Sequence, residues 1–598
     1  MLHARTNQSK YDLIFSVKNI TNKHKDSKLI KSTELIGEEF IYFQKRNQAI
    51  SLTKIVSVFT SRESASPKKD SLNLLRRTGS QKSILQSHLK QWKNLWEKSD
   101  LFIKGDLFSQ NALRFHTYHL LSTYSPNIIG LDVSIPARGL TGEAYHGHIF
   151  WDEIYIIPFF NHHFPELSKE SLIYRYNRLK QAQQYAKKNG HKGAMYPWQS
   201  ADTGKEETQE IHLNPMDNSW GPDFSRHQRH VSIAIFYNFY KYIYHAKDFK
   251  FLEDYGAEVM IEIARFWQSI AEYEKKIDKY HIKGVVGPDE FHEKYPWSNK
   301  PGFIDNAYTN VMVSWLLQKT AVLTEKLPQK LIKKLNLTKE EINKWKDVSK
   351  KINVVVKNEI IMQFKDFDKL KKINFEKYKK KYSNIERMDR ILKSEGKSPN
   401  EYKAIKQPDV LMIFYVLEFQ EVIKILRKLG INIKKPKNFI KKNYDYYASI
   451  TTHGSTLSKF IHNAILSNLK QENHMVWKWF KNALESDIYD SQRGTTKEGI
   501  HCGLMAGTIE IVRKYFAGIK THKKGLSLKP WLPAHWKKLK LRIEHQKKQY
   551  LFDFALEEKK LKIIFEKGTG KSSIEYQRKK YPLKKSKTES IKLKKCNF

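Results

Sequence analysis

VSIAIFYNFYKYIYHA at 231–246 and AEVMIEIARFWQSIAEYEKK at 257–276 lie ten residues apart, each with apolar residues at the spacing of an α-helix. The same period recurs at 111–124 (NALRFHTYHLLSTY), 169–190, 310–327, 409–430, 457–469 and 501–518. Several of these segments end in Gly or run into Pro, the usual chemistry of a helix stop. Between them lie irregular stretches rich in Gly, Pro, Trp, His, Asp and Asn. Amphipathic helices joined by chemically loaded loops predict a helical toroid or solenoid and exclude a βαβ sheet.

The flanks read differently. Residues 1–63 alternate apolar and polar side chains in DLIFSV, EEFIYFQ and TKIVSVFT, which predicts strands too few for a complete sandwich. Residues 64–106 begin polar, contain Pro67 and become helical near 80–98, as a helical linker would. Residues 107–520 are the helical region, and strand alternation returns across 521–566 in LKLRIEHQ, QYLFDFAL and KLKIIFEK, predicting a small C-terminal β domain. Residues 567–598 carry eleven Lys/Arg against two Glu without a visible period, and read as a basic, mobile tail.

The chain has 598 residues, and its 107 Lys+Arg against 63 Asp+Glu give a net charge of +44. Two basic runs, at 369–382 and in the tail, contribute to it, but neither interleaves aromatic residues as a base-stacking groove does. A specific nucleic-acid partner is not expected. With 40% hydrophobic residues the chain has the apolar mass for a large core. Cys502 and Cys596 are the only cysteines, too few for a disulfide framework or a Cys-based metal site. No run of about 18–20 apolar residues and no secretory leader in residues 1–10 is visible, so a cytoplasmic, membrane-free protein is the expectation.

Six loops carry the chemistry. In 137-ARGLTGEAYHGHIFWDEIYIIPFF-160, Asp152 opens an apolar helix, where alone it reads as an ordinary first-turn acid. A second loop is 193-GAMYPWQSADTGKEETQ-209. In 284-GVVGPDEFHEKYPW-297, Asp289, Glu290, His292 and Glu293 crowd together beside aromatics, the setting that lifts a carboxyl toward a general acid's range. The segment 406-KQPDV-410 places a cation and an amide before an apolar helix. The hydroxyls and Gly of 451-TTHGSTLSKFIH-462 are those of a small anion cradle or of plain helix capping. Finally, 494-GTTKEGIHCGLMAG-507 brings Glu498 and His501. HExxH, GxSxG and GxGxxG patterns are absent, and no metal site is expected.

In this order, FWDE (150–153), YPWQSADTGKEET (196–208), GVVGPDEFHE (284–293), DNAYTN (305–310), KQPDV (406–410), HGSTLS (453–458) and EGIHCGLMAGT (498–508) resemble glycoside hydrolase family 65, the inverting phosphorylases of maltose, trehalose and kojibiose. The resemblance covers roughly residues 50–565. It implies a mainly α chain: an (α/α)6-barrel catalytic domain with a truncated N-terminal β region, a helical linker and a small C-terminal β domain.

It further implies that Glu290 is the general acid. Trp151, Asp152, Lys406 and Gln407 would line the sugar site, and His453, Gly454, Ser455, Thr456 and His501 would gather around inorganic phosphate. The implied reaction is phosphorolysis of an α-linked glucose disaccharide to β-glucose 1-phosphate and glucose. Phosphate is then a co-substrate and no cofactor is needed. Many members are dimers, so a homodimer is the assembly that the resemblance suggests. Two alternatives remain: an inverting α-glucoside hydrolase on the same scaffold, with Asp445 or Glu498 as the base, and a non-catalytic relative.

Overall fold

The computed structural model describes residues 1–594 apart from Lys23, Arg493 and Lys524. Cys596 and the last four residues therefore lie outside the described part. The chain forms two compact units, one of Met1–Lys98 with Ile128–Asp132, the other of Ser99–Asn127 with the remainder from Val133 onward.

In the first unit, strands Leu2–Arg5, Asp12–Thr21 and Leu52–Thr60 make an antiparallel sheet in that order, and Asp26–Lys31 pairs separately with Ile36–Ile41. The first helix of the expected linker, Pro67–Arg77, is not a spacer. It starts on Pro67, whose missing N–H costs a helix nothing in its first turn, and it buries Ser71 and Leu75. The Ser71 hydroxyl lies 3.2 Å from that of Ser57 on the last strand.

In the second unit, six helices pack in a closed ring: Glu153–His163, Val231–Ala246, Ala307–Thr324, Asp409–Val416, Leu457–Leu469 and Cys502–Glu510, the last returning to the first. They are buried on nearly every side, as helices enclosed by other helices must be; every residue of Asp409–Val416 is buried. Outside them lie helices with a polar face, among them Leu107–Thr123, Pro165–Asn177, Ala257–Ile270 and Pro436–Ile450. Two expected long helices are interrupted, 169–190 at Arg178 and 409–430 at Leu417 and Glu418. A third ends early: after Ile270 the chain turns into a hairpin, Ala271–Glu274 against Lys279–Ile282, with Asp278 at the turn at φ 52°.

The C-terminal sheets correct two sequence expectations. Leu101–Lys104, expected in the linker, is the edge strand of a five-stranded sheet beside Lys538–His545. The expected basic tail is folded as far as it is described, to Lys594. Thr588–Lys592 pairs with Lys560–Lys567, and Ser572–Tyr576 lies between Gly525–Leu528 and Lys579–Leu583. Among the tail's described residues Ile574, Tyr576, Leu583, Ile591 and Leu593 are buried. Among the described residues no helix is long and apolar enough to cross a membrane.

Candidate active site

Four of the six ring helices begin at residues that line one cavity of about 350 Å³: Trp151 and Asp152, Lys406, Gly454 to Leu457, and His501. The other two begin just beneath it. His230 packs its ring 4.7 Å from that of Trp151, and Asn306 donates to Asp409 at 3.0 Å under the 287–290 loop. The N-termini of the ring thus converge on the cavity, and their exposed N–H groups and dipoles favour negative charge there.

Glu290 lines the cavity at φ 67°, in the left-handed region. For a non-glycine residue that costs about 1–3 kcal/mol and needs support from its neighbours. The support is Asp289, which is buried and accepts from the Lys406 backbone N–H at 2.7 Å, from Gln363 Nε2 at 3.0 Å and from the His292 ring. Lys406 Nζ then reaches Glu290 Oε2 at 2.6 Å, and Gln407 Nε2 donates to Oε1 at 3.0 Å. Burial alone would push the Lys406 ammonium down, but the Glu290 carboxylate outweighs it and holds its pKa above the usual lysine range. Asp409, fully buried, has its carboxyl lifted well above the ordinary range by burial and by Asp289. Gly287 has no room for a side chain: a Cβ would stand 2.2 Å from Asp409 Oδ2 and 2.3 Å from Asn306 Nδ2.

Asp152 and Thr456 each precede a ring helix, yet neither caps it with its side chain. Both turn to His501 instead: Nε2 lies 2.7 Å from Asp152 Oδ1 and Nδ1 2.5 Å from Thr456 Oγ1. This chain ties three separate ring helices together at the cavity. Glu153 of the same motif has a structural task, a buried ion pair with Arg175 at 2.7 Å. Glu498 lines the cavity and faces Arg138 at 3.4 Å.

Two expected site residues are placed differently. His453, at φ 60°, turns away from the cavity. Its Nδ1 is 2.8 Å from Ser458 Oγ, its ring packs on His462 and Trp479, and burial lowers its pKa to about 3. Gln407 is fully buried behind Glu290 and supports it without lining the pocket. Asp445 does not reach the cavity; it pairs with Lys441 at 2.5 Å on the outer helix Pro436–Ile450.

The cavity also holds residues that the sequence reading did not single out: Tyr145, Trp198, His212, Asn214, Asp223, Arg387, Asp389, Arg390 and Lys393. The basic ones come from 386-ERMDRILK-393, where a cation every third residue opposite Met388, Ile391 and Leu392 is the available signal. Those three apolar residues pack in a cluster with Phe291, the neighbour of Glu290. Glu293 lines the same side, its carboxyl raised to about 7 by burial and Asp223, against the pull of Lys393. Among the described residues no group of three or more His, Cys, Asp or Glu is arranged to hold a metal.

Comparison with known proteins identifies the family. A trehalose 6-phosphate phosphorylase of Lactococcus lactis is 38% identical over 545 residues, 90% of this chain and 69% of that protein. A kojibiose phosphorylase of Thermoanaerobacter brockii is 34% identical, over 85% of this chain and 64% of its own length. An uncharacterized glycosyl hydrolase of Mycobacterium tuberculosis is 38% identical over 85% of this chain, which spans only 38% of that protein. A solved structure from the human microbiome, provisionally assigned as a kojibiose phosphorylase, shares the fold: its TM-score is 0.79 at 24% identity, covering 99% of this chain and 74% of its own. The profile of the Glycosyl hydrolase family 65 central catalytic domain matches residues 114–510 and that of the family's N-terminal domain residues 1–95, so the chain belongs to glycoside hydrolase family 65.

Proposed function

We propose that the cavity carries out inverting phosphorolysis of an α-linked glucose disaccharide of the trehalose, kojibiose or maltose type, with inorganic phosphate as co-substrate and no cofactor. The ring of six helices and its outer layer are read as an (α/α)6 barrel. Glu290 gives its proton to the glycosidic oxygen as the C1–O bond breaks. A phosphate oxygen bonds to C1 from the opposite face, and the proton that phosphate gives up replaces the one lost by Glu290. The products are β-glucose 1-phosphate and the freed sugar. Trp151 and Asp152 hold the glucosyl unit, with Lys406 orienting the acid. Gly454, Ser455, Thr456 and His501 receive the phosphate; when both nitrogens of His501 carry hydrogen, the Thr456 hydroxyl hydrogen is left for an oxygen in the cavity.

The observation that carries this reading is that Glu290 shares the cavity with a wall of hydroxyls, an imidazole and converging helix N-termini, while the other carboxyls that line it, Asp152, Asp223, Glu293, Asp389 and Glu498, each hold a partner in the fold. That wall suits an attacking anion, whereas an inverting hydrolase needs a second carboxylate about 6.5–9.5 Å from the acid to activate water. Asp445 is outside the cavity and Glu498 is engaged with Arg138. The relatives' names cover neutral disaccharides and one disaccharide phosphate.

The test is product analysis with trehalose, kojibiose and maltose, and with trehalose 6-phosphate, in the presence and absence of phosphate. β-Glucose 1-phosphate formed only with phosphate is the expected result. Free β-glucose at an equal rate without phosphate would replace this reading with hydrolysis and make Glu498 the base to examine.

A further inference from the structure

The helix Met388–Ser394, with Arg387 at its start, carries Arg387, Arg390 and Lys393 three residues apart, so all three lie on one side. The other side is fixed by Met388, Ile391 and Leu392 against Phe291, and the three cations line the cavity. Their surroundings differ. Arg387 is neutralised by Asp389 through contacts of 3.1 and 2.8 Å. Among the described residues no carboxylate stands within ion-pair distance of Arg390 or Lys393.

Lys393 Nζ instead lies 3.0 Å from His212 Nε2, on the hairpin strand Ile211–Asn214. The Arg390 guanidinium is held below its usual value, first by burial and then by Arg387. The nearby acids are otherwise engaged: Asp223 accepts from Gln209 and from the Ser225 N–H at 2.9 and 2.8 Å, and Glu293 is half neutral near pH 7. Asp389 and Glu498 act on Arg390, and Glu293 on Lys393, only at longer range, so two partly buried cations without an ion-pair partner leave a place for an anion to join them.

Their place shows which anion fits. An attacking phosphate must reach C1 from the face opposite the leaving group, and a leaving group sits on the side of the acid. Arg390 and Lys393 belong to the acid's side, because their helix is packed on Phe291 beside Glu290. The segment starts next to the donor loop, where the Glu386 carbonyl approaches Gly454. It ends at His212, about 9 Å further along at 1.5 Å per residue. That is on the order of one sugar ring beyond the hydroxyl and imidazole wall.

We propose that Arg390 and Lys393, with His212, form a subsite for a phosphate monoester carried by the leaving sugar, so that the substrate is a disaccharide phosphate. This rests on the phosphorolysis reading for its chemistry, though not for its binding. The same cavity then holds two anions at once, an attacking phosphate at Gly454–His501 and an ester phosphate at Arg390–Lys393.

The test runs the full chain in the synthetic direction, with β-glucose 1-phosphate as donor and either glucose or glucose 6-phosphate as acceptor, phosphate release being measured. The expected kcat/KM for glucose 6-phosphate exceeds that for glucose by about 30-fold or more. Lys393→Gln and Arg390→Gln should each raise KM for glucose 6-phosphate about tenfold and lower the preference for glucose 6-phosphate over glucose by a similar factor. Titration calorimetry of glucose 6-phosphate against the wild type and both variants reads the subsite independently of turnover. If neither acceptor reacts but glucose 6-phosphate binds and Lys393→Gln weakens it, the phosphorolysis reading fails and the subsite stands. Equal or better use of glucose, no binding of glucose 6-phosphate, or variants that affect both acceptors alike would overturn the proposal.

Discussion

Glu290→Gln separates proton donation from everything else the Glu290 side chain does. A glutamine keeps the shape, can stay at φ 67° as the glutamate does, and can still accept from Gln407 Nε2 at Oε1. It loses the ion pair to Lys406, whose side chains are 17% and 26% exposed. A pair so close to solvent contributes about 1 kcal/mol, not the several kcal/mol of a sealed one. The melting temperature should therefore fall by no more than about 3 °C. Turnover of an unactivated disaccharide should fall about 10²–10⁴-fold, or about 3–5 kcal/mol of transition-state stabilisation. An α-glucosyl fluoride needs no proton at its leaving group, so with phosphate it should react in the variant within about tenfold of the wild type. Initial rates of phosphate consumption on both substrates, beside a thermal melt, are the assay. Near wild-type disaccharide turnover refutes the assignment. A loss equally deep on the fluoride, with the melt unchanged, means that Glu290 acts in some way other than by proton transfer.

Gly287→Ala should cost about 1–3 kcal/mol of stability and at least tenfold in turnover, because its Cβ would meet Asp409 and Asn306 beneath the acid loop; an unchanged melt and rate would show that the loop yields freely. Asp445→Asn should leave both products and rates within about twofold, since Asp445 holds only an exposed pair with Lys441, and a large loss would bring it back as a base. Glu293 gives a pH signature. Its folded pKa of about 7 lies above its unfolded value, so the folded state holds the proton more tightly. Stability is therefore greatest below the unfolded value and falls as pH rises through about 7. Removing the charge in Glu293→Gln should raise stability by about 1–2 kcal/mol at pH 8 and by almost nothing at pH 4. Urea midpoints at the two pH values test this, and a gain of equal size at both refutes it.

The helices of the ring were legible because their apolar residues recur at helical spacing over two or more turns. The hairpin at 271–282 was not legible, since Ala271–Glu274 continues the helical period of the residues before it and only the later turn at Asp278 breaks the helix. The loaded loops were visible one by one, and only the resemblance to family 65 grouped them into a site; the structure brings most of them to one cavity because a ring of helices gathers its N-termini at one end. Orientation was the hidden part. HGST reads as an anion cradle, yet the positive φ of His453 sends its ring back into the core while Gly454, Ser455 and Thr456 stay at the cavity. Asp152 read as a plain helix opener, and only the fold brings His501 within 2.7 Å of it. Arg387, Arg390 and Lys393 were not singled out at all, because a cation facing a cavity and one facing bulk water are written with the same letters.

That last ambiguity also governs the net charge of +44. In the C-terminal strands cations alternate with buried apolar residues. Lys538, Lys540 and Arg542 point outward while Leu539, Leu541 and Ile543 point into the core, and Asp553 and Glu566 answer two of the three cations. Thr588–Lys592 is too short to show this period convincingly in sequence, with Ile591 as its one buried residue, so its charge masked its fold. Such cations are screened beyond about 8 Å at physiological ionic strength and exert little influence on a distant pocket. Arg390 and Lys393 are a small fraction of the sum, but they face a confined space with low-dielectric walls, where screening is weak and each charge acts at close range. The sum of charges describes the surface; on the proposal above, which anion the protein selects is decided by the few cavity cations that have no ion-pair partner among the described residues.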